Sequence, residues 1–265
     1  MWGTADFLGG ATSRRRPVLA VYGGSQVVGL AALVLVATAG GSWGDDPGYW
    51  PWAVGSSLLG LVGMLAFYRA LAIGPMGIIS PLVSLGVLLP LAVGLLSGET
   101  PSGPQTFGIV VAIVGILLAS GPEISGAESA RPLLLAIVAA ACFGGMFVLM
   151  ARGSEYSPVM TMTGMRITTV VIIAVIVLAT RSIGGLDRAD VWPLVGIGVL
   201  DAAANVAYGV ATTLGLLATV SVLGSLYPVV TAVLAAVVVR ERLRFVQYVG
   251  VGVAVVGTML ISSGA

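Results

Sequence analysis

The segment Glu99–Ser120, ETPSGPQTFGIVVAIVGILLAS, returns later in the chain as Glu241–Ser262, ERLRFVQYVGVGVAVVGTMLIS. At this shift of 142, Glu99 meets Glu241, Gln105 meets Gln247, Gly108 meets Gly250 and Gly115 meets Gly257. Each copy opens on a carboxylate, runs through a short mixed stretch and ends in a long apolar run. That pattern predicts a helix that enters lipid. The paired glycines put small residues on one helix face, where two helices pack closely in a membrane. Glu99 and Glu241 stand just before a helix start, where a carboxylate suits the helix dipole. Because both copies keep them, they are read as elements of the fold.

Working outward, the matches continue at a shift of 141. Gly3 falls on Gly144, Ser13 on Ser154, Pro17 on Pro158, Gly23 on Gly164, Gly74 on Gly215, Ser80 on Ser221, Ser84 on Ser225 and Leu85 on Leu226. An ordered series with one single-residue slip points to a duplication. Apolar runs divided by Gly, Pro and charged punctuation place spans at roughly 1–12, 18–39, 51–73, 76–97, 104–120, 132–151, 158–180, 191–213, 216–239 and 244–263. The expected fold is therefore an all-α integral membrane protein of about ten transmembrane helices. The organisation is 1–121 as a first five-helix repeat, 122–130 as a linker and 131–265 as a second repeat. An odd number of spans per copy makes the second copy enter the membrane from the opposite side, the inverted-repeat plan of many secondary transporters.

Composition agrees. The chain is 58% hydrophobic and 9% charged, with mean hydropathy +1.08, whereas a soluble domain is about a quarter charged. A net charge of +1 argues against nucleic acid as a partner. There is no histidine, which removes His-dependent hydrolysis, His metal sites and His proton relays. No cofactor or metal is expected. Cys142 is the one cysteine, so no intrachain disulfide can form. All the basic residues are Arg, which suggests a GC-rich bacterial genome and hence a bacterial inner membrane.

The first span is short. Arg131–Ala141 open the sixth span, and their counterparts would fall before Met1. About 12 residues rise roughly 18 Å, less than the ~30 Å lipid core. The expectation is a natural product about 11 residues longer at this end.

Two features bear on function. Pro81 and Pro90 interrupt the fourth span and Pro228 the ninth. A proline inside a helix frees a backbone carbonyl, and broken helices at matching places in two repeats point to a transport pathway. Ser80 with Ser84, and Ser221 with Ser225, share a face at i and i+4. They serve either that pathway or hydrogen bonds between helices.

The second feature is where the copies differ, since residues needed only for the fold should appear twice. Asp201, Asn205, Tyr208 and Thr212 form one stripe on the eighth span. Their counterparts are Gly60, Met64, Phe67 and Leu71, without polar groups. A carboxylate at the bilayer centre costs about 2.5–3.5 kcal/mol, so the stripe should face protein or a water-filled cavity. Asp6 likewise stands opposite Phe147. Arg166 lies at a depth that lets it reach Asp201 if their helices are neighbours. The two make either a static ion pair or a substrate site with both signs of charge, suited to a zwitterion. A paired Asp201 stays ionised as an anchor, while Asp6 is the candidate for proton coupling.

Trp2-Gly3, the doubled Glu99 and Glu241 with their Gln and spaced glycines, Arg166, and Ser225-Leu226-Tyr227-Pro228 together resemble the EamA family of the drug/metabolite transporter superfamily. The resemblance covers nearly the whole chain. It implies a ten-helix exporter or importer of metabolites, amino acids or drugs. The first copy departs from the pattern, with Gly86-Val87 where Tyr227-Pro228 would be and Ser25 where Arg166 would be. The expected function is a secondary transporter working by alternating access, with or without proton coupling, and not an enzyme. Its partners are a small-molecule substrate and the bilayer, with the chain as monomer or homodimer. Trp2, Ser84, Arg166, Asp201, Asn205, Tyr208, Ser225 and Tyr227 are the expected substrate-binding residues. A membrane-embedded lipid enzyme needs a nucleophile and a base, and a Ser–Asp pair without His serves poorly. A channel stays open as an alternative.

Orientation sets two readings against each other. Arg14, Arg15, Arg16, Arg69, Arg131, Arg181, Arg188, Arg240, Arg242 and Arg244 fall on or near one side, and Arg152 on the other. The positive-inside rule then places both termini outside, whereas the resemblance implies cytoplasmic termini. A C-terminal alkaline phosphatase fusion decides. The charge distribution calls for an active fusion, and an inactive one puts the terminus inside.

Overall fold

Lipid offers the backbone no hydrogen-bond partner, so an apolar chain that enters it folds into helices that satisfy their own N–H and C=O groups. The structure, a computed structural model, describes residues 1–13, 15–73, 83–119, 130–181, 185–238 and 245–263, and these contain helices and no strand. The helices are α1 (Trp2–Ser13), α2 (Val18–Gly40), α3 (Trp50–Ile73), α4 (Leu88–Leu96), α5 (Gly103–Ala119), α6 (Ala130–Ser154), α7 (Pro158–Thr180), α8 (Val191–Leu214), α9 (Leu217–Gly224), α10 (Tyr227–Val238) and α11 (Phe245–Ser263). Among the described residues, five helical stretches are long and apolar enough to cross a membrane: Val18–Gly40, Pro47–Phe67, Arg131–Ser154, Pro158–Ala179 and Arg188–Leu214. Leu85–Leu96, Gly103–Leu118 and Phe245–Ile261 are shorter apolar helices. Arg14, Ser80, Pro81, Arg240, Glu241, Arg242, Arg244 and all but the last residue of the expected linker lie outside the described residues.

Local caps repeat with the sequence. Asp46 accepts a hydrogen bond from the Gly48 amide at 2.8 Å and caps the 3-10 turn Pro47–Tyr49. Its counterpart Asp187 caps the turn Arg188–Asp190 in a reciprocal capping box with Asp190. These turns lead into α3 and α8. Ser157 caps α7, its hydroxyl accepting from the Met160 amide at 3.2 Å, with Pro158 at the first helical position, where a missing N–H costs nothing.

The expected ninth span is broken into α9 and α10 at Ser225-Leu226. Pro228 stands at the second position of α10 rather than inside a continuous helix. At the matching place in the first copy the helix tightens to a 3-10 turn, Leu85–Val87, and runs on into α4. No proline stands there, and Pro90 sits in the first turn of α4 without breaking it.

The chain divides into two compact units, each assembled from both halves: Met1–Leu58 with Leu149–Thr213, and Leu59–Val148 with Leu214–Ala265. In the first, α1, α2 and α8 share a core of Ala5, Val21, Leu194 and Ile197. There α2 and α8 cross with their backbones touching: a Cβ at Gly198 would lie 2.5 Å from the Ser25 carbonyl oxygen and 2.9 Å from the Gly29 nitrogen.

In the second unit the quoted repeats pack on each other as α5 against α11. A Cβ at Gly257 would lie 2.5 Å from the Ala112 nitrogen, and one at Gly108 would lie 2.7 Å from the Ile261 nitrogen. Glu99 also builds this unit. After α4, Gly98 adopts φ 92°, and the Gly98 amide bonds Leu95 while the Glu99 amide bonds Gly94, each at 3.1 Å. This Schellman turn swings the Glu99 carboxylate onto the start of α9, where it accepts from the Leu217 and Ala218 amides at 2.7 and 2.9 Å. The expectation that Glu99 serves a helix dipole holds, but the helix is α9 of the other copy rather than its own.

Gly257→Ala should therefore destabilise the protein by about 1–3 kcal/mol through overpacking. Gly252→Ala, whose Cβ would meet nothing within 4 Å, should be neutral or slightly stabilising. Thermal unfolding in one detergent compares them, and equal effects would overturn the close-packing account.

Candidate functional site: a buried ionic cluster in the first unit

The crossing of α2 and α8 brings a polar group into an otherwise apolar unit. Arg166, on α7, is 2% exposed. Its Nη2 donates to the Asp201 carboxylate on α8, and its Nη1 donates to the Gln26 Oε1 on α2. Gln26 is 3% exposed. The Arg166 Nε has no partner and lies 3.5 Å from where a Cβ of Gly29 would stand. Glycine at 29 and 198 lets α2 and α8 approach, and the approach gives Arg166 partners on two helices.

The stripe continues along α8. Asn205 and Tyr208 are each 4% exposed. Asn205 Oδ1 accepts from the Trp2 indole N–H at 2.9 Å, and the Trp2 and Tyr208 rings lie 5.8 Å apart at 46°. Thr212 turns back to its own helix, donating to the Gly209 carbonyl at 2.8 Å. Asp6, one turn beyond Trp2 on α1, is exposed. Trp2, Arg166, Asp201, Asn205 and Tyr208 thus assemble in one unit, with Asp6 beside them.

Gln26 is the member that sequence reasoning missed. Its counterpart is Ile167, so the same difference between copies marks it. A second non-duplicated pair lies nearby: Ser57 and Thr169, opposite Gly198 and Val28, share a buried hydrogen bond of 2.8 Å.

Ser84, Ser225 and Tyr227 belong to the second unit. They line a narrow cleft of about 10 Å³ where the α9–α10 break meets the Leu85–Val87 turn, with Gly86, Phe143 and Phe147 as further walls. A Cβ at Gly86 would lie 2.5 Å from the Ala140 carbonyl oxygen, so α6 runs directly against the first break. The Ser225 hydroxyl donates to the Ser221 carbonyl at 2.8 Å, as a hydroxyl near a broken helix commonly does.

At the edge of the first unit, Arg16 in the α1–α2 turn donates to Gly185 O at 2.8 Å and to Asp187, and its Nε pairs with Asp190 at 2.9 Å. The hydrogen bond to Asp187, foremost, and the two aspartate charges raise the Arg16 pKa above its ordinary value. This ties the turn after α1 to the turn before α8.

The ion pair is lopsided, with the Arg166 side chain 3% exposed and that of Asp201 28%. Removing the carboxylate strands a buried cation, whereas removing the cation leaves a carboxylate that water reaches. Asp201→Leu should therefore cost about 3–5 kcal/mol of stability, and Arg166→Met less. The double variant should recover most of the Asp201→Leu loss. Unfolding in detergent measures all three, and a double variant as weak as Asp201→Leu would refute the pairing account.

The geometry can be set beside known proteins. The model of the EamA-like transporter family matches residues 1–121 and 130–263. An uncharacterized protein of Methanocaldococcus jannaschii is 40% identical over 70 residues, 26% of this chain and 51% of that protein. The chain thus spans about half the length of this curated relative. A solved crystal structure, described only as that of a protein, superposes with a TM-score of 0.81 at 17% identity. The match covers 99% of this chain and 92% of that one, and shows a shared fold. With its family model matched along both halves, and several apolar helices long enough to cross a membrane, the chain belongs to the EamA-like transporter family, within the drug/metabolite transporter superfamily.

Proposed function

We propose that the chain is a secondary transporter that moves a small amino acid-like or drug-like metabolite by alternating access. In this reading it has ten spans as two inverted five-helix repeats, 1–121 and 131–265, and works in a bacterial inner membrane as a monomer or homodimer. The observation that carries the reading is the cluster of Trp2, Gln26, Arg166, Asp201, Asn205 and Tyr208. Gln26, Asp201, Asn205 and Tyr208 stand where the other copy has Ile167, Gly60, Met64 and Phe67. A fold that is built twice and polar only once has polarity to spare for a task other than folding.

Asp201 anchors the substrate by charge, with Asn205, Tyr208 and Trp2 beside it. Arg166 orients the Asp201 carboxylate through its bond to Oδ2. Asp6, exposed and without an ion-pair partner among the described residues, carries proton coupling. Ser84, Ser225 and Tyr227, at the cleft of the second unit, are the further substrate-binding residues of this reading.

Counterflow of a labelled substrate, found by screening purified protein in proteoliposomes, tests this. Carriers give counterflow, channels only downhill flux, and an enzyme a changed product. Asp201→Asn should weaken substrate binding at least about tenfold, the equivalent of one lost charge interaction of ~1.4 kcal/mol. Asp6→Asn should leave binding intact and remove the response to an imposed pH gradient. An unchanged response takes Asp6 out of the mechanism.

A further inference from the structure

A substrate meets the face of an ionic cluster that its internal bonds leave open. Arg166 keeps little to offer. Nη1 is held by Gln26, Nη2 by Asp201, and the unpartnered Nε points at the Gly29 backbone within the helix crossing. The side chain is almost wholly buried. Asp201 is different: its Oδ2 takes the Arg166 bond, its Oδ1 has no partner among the described residues, and 28% of its side chain is exposed. No cation other than Arg166 stands on α2, α7 or α8 near it. Asp6, on α1, is exposed. The accessible charge is therefore negative. One turn and two turns along α8 stand Asn205 and Tyr208, with the Trp2 ring laid against both. Aromatic faces attract a cation as well as an apolar body.

We propose that this site takes a protonated amine carrying an aromatic or apolar body, with the ammonium on Asp201 Oδ1, and that Gln26 is the specificity-determining residue that withholds Arg166 from the substrate. This rests on the transporter reading and narrows it. A zwitterion would need a free guanidinium for its carboxylate, and the hydrogen bond from Arg166 to Gln26 removes that option. A buried amide acceptor serves here because it orients a guanidinium without neutralising it. Were Gln26 absent, Nη1 would lose its partner at a depth where an unmet charged donor is costly, and a carboxylate on the substrate would supply one.

Three ligands with one ring system separate the charge classes: tryptamine (cation), tryptophan (zwitterion) and indole-3-acetate (anion). Binding of each, labelled, is measured on purified protein in lipid nanodiscs. Wild type should bind tryptamine at least about tenfold tighter than indole-3-acetate, with tryptophan between, a preference on the scale of one charge interaction. Asp201→Asn should lose the tryptamine preference. Gln26→Leu should shift the ratio toward tryptophan several-fold, and Gln26→Asn, an amide again, should shift it less. Tryptophan or indole-3-acetate binding as tightly as tryptamine in wild type overturns the proposal, as does binding of none of the three. A ratio unchanged in Gln26→Leu overturns the role of Gln26. None of these results bears on counterflow, so the amine reading can fail while the transporter reading stands.

Discussion

Arg166 cannot be deprotonated, and it lies where neither water nor lipid can solvate it. That single constraint organises the first unit. A buried guanidinium needs acceptors on several sides, and they must come from different helices because one helix presents only one face. Asp201 on α8 and Gln26 on α2 provide them. For both to arrive, α2 and α8 must cross at less than the usual separation of helices, and glycine at 29 and 198 permits this. The charge, the amide, the carboxylate and the two glycines form one requirement met together.

The second unit solves a backbone problem in the same terms. The start of α9 leaves amide groups without helical partners, and lipid supplies none. Glu99 accepts from two of the free amides at the start of α9, while Gly98 at positive φ makes the turn that brings it there. The α5–α11 pair holds on glycine contact instead of polar bonds. Small residues allow backbone to meet backbone, and dispersion across that contact replaces a hydrophobic effect that lipid does not supply.

Much of this was legible in the sequence because a duplication is an internal control. Positions that agree, such as Gly108 with Gly250 and Gly115 with Gly257, mark the requirements of packing. Positions that disagree, such as Asp201 against Gly60, mark something added. Gln26 against Ile167 was legible by the same rule, yet a lone glutamine in an apolar helix carries no spacing to draw the eye. Its meaning depends on Arg166, 140 residues away. The target of Glu99 was not legible at all. A carboxylate before a helix suits the dipole of its own helix as well as any other, and only the Schellman turn decides between them. The break at Leu85–Val87 was similarly hidden, because its copy at Ser225-Leu226 is announced by Pro228 while the first has Gly86-Val87.

That last contrast shows what proline does in this fold. If Pro228 caused the break, the copy without it would be a continuous helix. The helix without it is irregular at the same place too, tightening to 3-10 at Leu85–Val87. The irregularity therefore coincides with the way helices meet in this unit, where α6 brings Ala140 and Gly144 against the backbone at Gly86. Pro228 occupies a position that has already given up its helical N–H partner, as a proline at the start of a helix can without loss. In the first copy Gly86 answers the same bend by having no side chain where α6 passes. One geometry has been met by two residue choices, and the packing came before either.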